Sequence, residues 1–164
     1  MSRYRRLRLE GASYFFTVNL ADREAATLVD RIEDLRRAYA HVWQSAPWQT
    51  DAIVVLPDHL HAIWTLPPGD SDFSDRWRRI KREFTVITGL TGARSASKHR
   101  KGEAGLWQRR FWEHCLRSET ERLECLRYVW ANPVKHGLVD RAVDWPHSSV
   151  HREIRHGLLP TQGP

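Results

Sequence analysis

The sequence predicts an α+β domain in which one antiparallel sheet carries a layer of helices. Three observations point there. Strand-like and helix-like periodicities alternate along one block of 164 residues. Two neighbouring strand patterns are joined by a short turn at Pro57-Asp58, so they are expected to pair antiparallel. No internal repeat or linker interrupts the chain, and its length fits one domain.

Taken in order, Tyr14-Phe15-Phe16-Thr17-Val18-Asn19-Leu20 is aromatic and β-branched, which makes a strand. Over about 27–45, Leu28, Ile32, Leu35, Tyr39 and Val42 recur at spacings of four, three, four and three, which predicts one amphipathic helix. Residues 50–56 and 60–66 form the strands on either side of the turn. A helix follows over 72–88, with Phe73, Trp77, Ile80, Phe84 and Ile87 on one face. Arg76, Arg78, Arg79, Lys81 and Arg82 make its other face basic. Residues 89–105 are rich in Gly, Ser and Ala and contain Lys98-His99-Arg100-Lys101, which reads as a flexible basic loop. A short strand is expected at 111–116. Ser118-Glu119-Thr120-Glu121 is a capping box, in which the Ser oxygen and the Glu carboxylate satisfy each other's orphan amides. The helix it starts runs through Leu123, Leu126 and Val129, and Pro133 predicts its end near Asn132. The tail around Trp145-Pro146 reads as irregular.

Composition narrows the function classes. With 41% hydrophobic and 28% charged residues the chain is neither disordered nor collagen-like. Its longest uncharged apolar run, 52–57, is far short of the ~20 residues a membrane helix needs. The Arg-rich first ten residues carry no secretory signal. Two cysteines, Cys115 and Cys125, cannot build a disulfide framework or a metal knuckle, and they fit a reducing cytoplasm. Lys and Arg number 26 against 20 Asp and Glu, a net charge of +6 that suits a polyanionic partner. Eight tryptophans interleave with arginines, as in Trp107-Gln108-Arg109-Arg110-Phe111-Trp112, a pattern that can stack unpaired bases or simply fill a core.

Two constellations carry chemistry. In Pro57-Asp58-His59-Leu60-His61 the histidines alternate onto one face of a strand, roughly 6.6 Å apart along the chain. Two such imidazoles can converge on one divalent metal, or can be polar positions at a sheet end. Tyr128 and Asn132 lie four apart on a helix, about 6 Å along its axis, so a phenol and an amide look the same way. Together they outline a mechanism. A cation held by His59, His61 and Asn132 would act as Lewis acid on a phosphodiester, and Tyr128 would become esterified to the phosphate. Because imidazole must be neutral to ligate, activity is expected to fall as pH drops below about 6.5.

The chain resembles the HUH single-strand nucleases with one tyrosine and, within them, the REP-associated tyrosine transposases. The resemblance spans nearly the whole chain. It rests on Tyr4-Arg5-Arg6, on residues 14–20, on Val55-Leu56-Pro57-Asp58-His59-Leu60-His61-Ala62-Ile63-Trp64 and on Phe73-Ser74-Asp75-Arg76-Trp77 with Ile80-Lys81. It continues through Trp107-Gln108-Arg109-Arg110-Phe111-Trp112-Glu113-His114, Tyr128-Val129-Trp130-Ala131-Asn132-Pro133-Val134-Lys135-His136-Gly137 and Asp144-Trp145-Pro146-His147-Ser148-Ser149. It implies a ferredoxin-like (RRM-like) fold and a single-tyrosine domain over 1–164. It places the nucleophile at Tyr128 and the metal ligands at His59, His61 and Asn132, with Mg²⁺ or Mn²⁺ as cofactor. The implied partner is single-stranded DNA carrying REP-type hairpins, met in a bacterial cytoplasm at the nucleoid by a monomer or homodimer. The implied reaction cuts and rejoins that strand through a 5′-phosphotyrosine. Segment 89–105 looks like a family-variable insertion.

Residues expected to hold DNA are Arg5 and Arg6 in the N-terminal arm, Arg76, Arg79 and Arg82 on the basic helix, Lys98, Arg100 and Lys101 in the loop, and Arg109 and Arg110. Two other readings stay open. One is a catalytically silent hairpin-binding protein. The other is a zinc hydrolase, which the pattern disfavours because no third His or Cys stands at ligand spacing.

Overall fold

A computed structural model describes residues 7–164. Its elements in chain order are β1 (Ser13–Asn19), α1 (Thr27–Asp30), α2 (Ile32–Ser45), β2 (Gln49–Val55), β3 (His59–Thr65), α3 (Phe73–Thr88), α4 (Ala96–Arg100), β4 (Trp112–Cys115), α5 (Glu119–Lys135) and α6 (Val150–Arg155). The strands form one sheet in the order β2-β3-β1-β4, and every pair is antiparallel. That order, with α2 and α3 as the crossovers, is the ferredoxin-like α+β arrangement.

Alternation along the strands divides the core in two. Leu60, Ala62 and Trp64 of β3 join Tyr14, Phe16 and Val18 of β1 beneath α2 and α3, where Trp64 stacks on Trp77 at 4.1 Å. Ile63 and Phe15 face the other way and pack with Ala52 and Val54 against Leu126, Val129 and Trp130 of α5. His59 and His61 share the parity of Ile63, so the strand delivers both to the α5 face. No described helix is long and apolar enough to cross a membrane, and both cysteines are free.

Five expectations are corrected. The helix predicted over 27–45 breaks at Arg31, whose backbone (φ −117°, ψ 35°) interrupts it between α1 and α2. Arg76 is buried rather than solvent-facing. It lies three residues from Phe73 and four from Ile80, on the apolar stripe itself. Its guanidinium reaches Asp70 at 2.6 Å and donates to the carbonyls of Ala46, Pro47 and Asp72, tying α3 to the α2–β2 turn. It is therefore not available to a phosphate. Segment 89–105 contains α4, begun by Ser95 accepting from the Lys98 amide.

The fourth correction concerns Pro133, which does not end α5. The helix runs on to Lys135 and closes in a Schellman motif, with Leu138 N–H donating to Pro133 and Gly137 N–H to Val134 around a left-handed Gly137 (φ 66°). A proline inside a helix costs roughly 3 kcal/mol, and this extra turn places Lys135 beside Tyr128. Fifth, the tail is ordered along the edge of β2. His147 and Ile53 carbonyls accept from Val55 and Ser149, Trp145 Nε1 donates to Val55, and α6 buries Val150.

The capping box is half formed. Ser118 Oγ accepts from the Glu121 amide at 3.1 Å, but the Glu121 carboxylate takes the Arg117 amide and the His114 ring instead of returning to Ser118.

Candidate active site

β3 and β1 position the histidines. Thr17 stands opposite His61 and Asn19 opposite His59 in the ladder. The Thr17 hydroxyl meets His61 Nδ1 at 2.9 Å, and Asp58 Oδ1 meets His59 Nδ1 at 2.7 Å. A carboxylate only accepts, so Nδ1 of His59 carries the proton and Nε2 keeps its lone pair for a ligand. Asp58 is in turn held by Arg23 Nε at 2.6 Å, and Arg23 also bonds Asn19. The two imidazole centroids lie 5.0 Å apart with planes near perpendicular, and both residues are buried.

α5 supplies the other half. Tyr128 is 40% exposed, with its ring 5.4 Å from His61 and 5.8 Å from Phe15. The other described tyrosines are occupied. Tyr14 is buried and donates to the Leu9 carbonyl, and Tyr39 is hydrogen-bonded to Thr50, with burial pushing its phenol up. One turn beyond Tyr128, Asn132 is fully buried, and neither Oδ1 nor Nδ2 has a hydrogen-bond partner among the described residues. Buried amides are almost always satisfied, so an orphaned pair of atoms marks a place for a missing partner.

The donor set fits a divalent cation. Two imidazole nitrogens and an amide oxygen are all neutral, so they would leave the cation's charge free to draw a phosphate. No cluster of three His, Cys, Asp or Glu suited to a metal occurs among the described residues, so the zinc reading lacks its third ligand of that kind.

Electrostatics favour the ligating form of both histidines. Burial, then the neighbouring His59 and His136, push His61 down to about 3. Burial also lowers His59, against the opposing pull of Asp58. The expected loss of activity just below pH 6.5 is accordingly displaced to lower pH for His61. In the metal-free protein the unfolded chain binds a proton near 6.5 and the folded chain only near 3. Between those values the unfolded state holds more protons, so stability falls as pH drops through that window and is fully present above it. Thermal melts in chelator should show that slope and His61→Gln should flatten it; equal slopes in the two proteins would refute the assignment.

Residues that sequence reasoning had not singled out also sit here. Lys135 Nζ lies 3.4 Å from the Tyr128 hydroxyl and 4.7 Å above its ring, and His136 packs on His59 at 5.2 Å. The signal for Lys135 was present, since 128, 132 and 135 form one helical stripe. Thr17 and Arg23 needed the strand register. Among the described residues, the α3 candidates for DNA contact lie on the sheet face opposite Tyr128. Arg5 and Arg6 lie outside the described residues. Arg79 and Arg82 belong to α3, across the sheet. Arg109 is paired with Glu103 at 3.0 Å, Arg110 stands on a loop, and Lys98 and Arg100 lie in α4 with Lys101 just past its end.

Comparison with known proteins bears on this geometry. No family model matches the chain. It is 44% identical over 160 residues to a REP-associated tyrosine transposase of Escherichia coli (strain K12), covering 98% of this chain and 89% of that one. It is 41% identical over 162 residues to a Haemophilus influenzae protein named as a candidate member of the same family, covering 98% and 92%. A solved structure of a REP-associated tyrosine transposase bound to a REP hairpin superposes with a TM-score of 0.89 at 43% identity, covering 99% of this chain and 90% of that one.

Proposed function

The chain belongs to the REP-associated tyrosine transposases, and on that premise we propose that it cuts and rejoins single-stranded DNA beside a REP-type hairpin through a covalent 5′-phosphotyrosine. One observation carries the reading: an exposed phenol lies beside a buried imidazole pair, one turn from a buried amide with both polar atoms unpaired.

His59, His61 and Asn132 would hold Mg²⁺ or Mn²⁺. When bound, the cation supplies Lewis-acid polarisation of the scissile phosphate. Asp58 and Thr17 fix the imidazole rings so that their free nitrogens keep one orientation. Lys135 sets a positive charge beside the Tyr128 oxygen, where an incoming phosphate and the attacking phenolate both carry negative charge. The phenol oxygen forms its bond to phosphorus as the bond to the 3′-oxygen breaks. The leaving strand takes up a proton as a 3′-hydroxyl, and the 5′-phosphate stays on Tyr128. A 3′-hydroxyl attacking that ester reverses the step, which makes transfer to another end possible without an external energy source.

An in-line attack requires an unpaired backbone, so the stem serves as a handle for shape and charge. With Mg²⁺ or Mn²⁺, a hairpin bearing a single-stranded flank should give a covalent adduct on a denaturing gel. The fully duplexed sequence and the flank without its stem should give little. Equal cutting of the duplex would refute the single-strand mechanism. Binding without any adduct would favour the silent hairpin-binding reading, and full activity in excess chelator would remove the metal site.

A further inference from the structure

Tryptophans are mostly consumed by the core of this protein, but Trp112 and Trp43 reach solvent. Trp64 and Trp77 are fully buried, while Trp48, Trp107 and Trp130 are more than nine-tenths buried. Trp112 is 54% exposed. Trp43 also reaches solvent, but it sits on α2, across the sheet from the histidines. Trp112 pairs with Thr17 in the ladder, and Thr17 faces His61, so its indole stands on the same sheet face as the histidine pair and Tyr128.

The ring is held ready rather than loose. It lies parallel to His114 (11°, centroids 5.8 Å), which is itself fixed by the Glu121 carboxylate at the start of α5. Its edge meets Phe15 at 5.6 Å, and Phe15 in turn touches Tyr128 at 5.8 Å and His61 at 5.4 Å. One ring therefore separates Trp112 from the nucleophile. Among the described residues β4 is the last strand of the sheet, so no further strand of it flanks the indole.

We propose that Trp112 is a stacking platform for the unpaired base adjoining the phosphate that Tyr128 attacks. The inference rests on the single-strand reading above and names the part of the substrate that this end of the site holds. A base is the fitting occupant for two reasons. Lys135 draws a phosphate to the Tyr128 oxygen, so the neighbouring sugar and base must lie across the adjoining surface. That surface is the flat π-face of an indole, which binds any base without reading its hydrogen-bonding edge. A base so held would also keep the scissile link from swinging away from the tyrosine.

The test reads binding, not cleavage. A labelled hairpin with a single-stranded flank is titrated in metal-free buffer, and each flank position is replaced in turn by an abasic residue. With the wild-type protein, one position should cost about tenfold or more in affinity, the scale of one base–aromatic stack. Trp112→Leu, which keeps apolar bulk against Phe15, should bind the intact DNA more weakly by the same factor and show no further loss at that position. Trp112→Tyr should restore most of the wild-type pattern. The proposal is overturned if Trp112→Leu binds intact DNA as tightly as wild type, or if the abasic penalties are unchanged in that variant at every position. Loss of affinity for the bare stem to the same extent would overturn it too, because it would mark a general structural defect. If the binding pattern holds but no covalent adduct forms once Mg²⁺ or Mn²⁺ is supplied, that counts against Tyr128 and leaves Trp112 standing.

Discussion

Tyr128→Phe should fold and bind hairpin DNA as the wild type does, yet form no covalent adduct. The substitution deletes one oxygen from a side chain that is already 40% exposed. What the fold loses is a 3.4 Å contact with Lys135, while the ring's packing on Phe15 and His61 remains. Surface changes of that kind stay within about 0.5 kcal/mol of stability. The chemistry loses its nucleophile altogether, so the adduct should vanish rather than diminish. Tyr14 and Tyr39 offer no substitute among the described residues, since both hydroxyls are engaged away from the histidines. An adduct formed by Tyr128→Phe at a rate comparable to wild type would remove Tyr128 from its role. Mass spectrometry of the adduct in the wild type locates the ester directly.

The strands were legible from their aromatic and β-branched composition, and the ferredoxin-like arrangement of the sheet followed from the family resemblance. That both histidines share one face, opposite Leu60, also followed from strand alternation. The helices were less faithful to pattern. Leu28, Ile32 and Leu35 keep helical spacing straight through the break at Arg31, because apolar spacing records which residues meet the core and not whether the hydrogen bonds between them persist. Arg76 was read by residue type as a DNA contact, although its spacing from Phe73 and Ile80 already placed it inward. Pro133 was read by local sterics alone. The packing of α5 on the sheet and the Schellman closure after it carry the helix through the proline. The tail was unreadable for a different reason. Its order comes from hydrogen bonds to Ile53 and Val55, some ninety residues earlier, and no local pattern reports contacts of that range. The same limit hid Thr17 and Arg23 from the site.

Asn132→Leu should divide stability from activity in opposite directions. In the metal-free protein the amide is fully buried with both polar atoms unpaired. Leaving such a group unsatisfied costs about 1–3 kcal/mol, whereas an apolar side chain of similar volume carries no such penalty. The variant should therefore melt at a temperature equal to or above that of the wild type in chelator. Adding Mg²⁺ or Mn²⁺ should raise the melting point of the wild type by mass action and leave the variant's nearly unmoved. Adduct formation in the variant should fall by about a hundredfold or more, since an oxygen ligand that fixes the cation is gone. Asn132→Asp makes the complementary case. It retains an oxygen donor, so metal response should persist, while the metal-free protein should lose stability because a buried carboxylate now lacks a partner. A purely structural asparagine predicts the reverse of the first result: a lower melting point for Asn132→Leu in chelator, with the metal shift and the adduct yield per folded molecule unchanged. That outcome would take Asn132 out of the ligand set and leave the two histidines without their third partner.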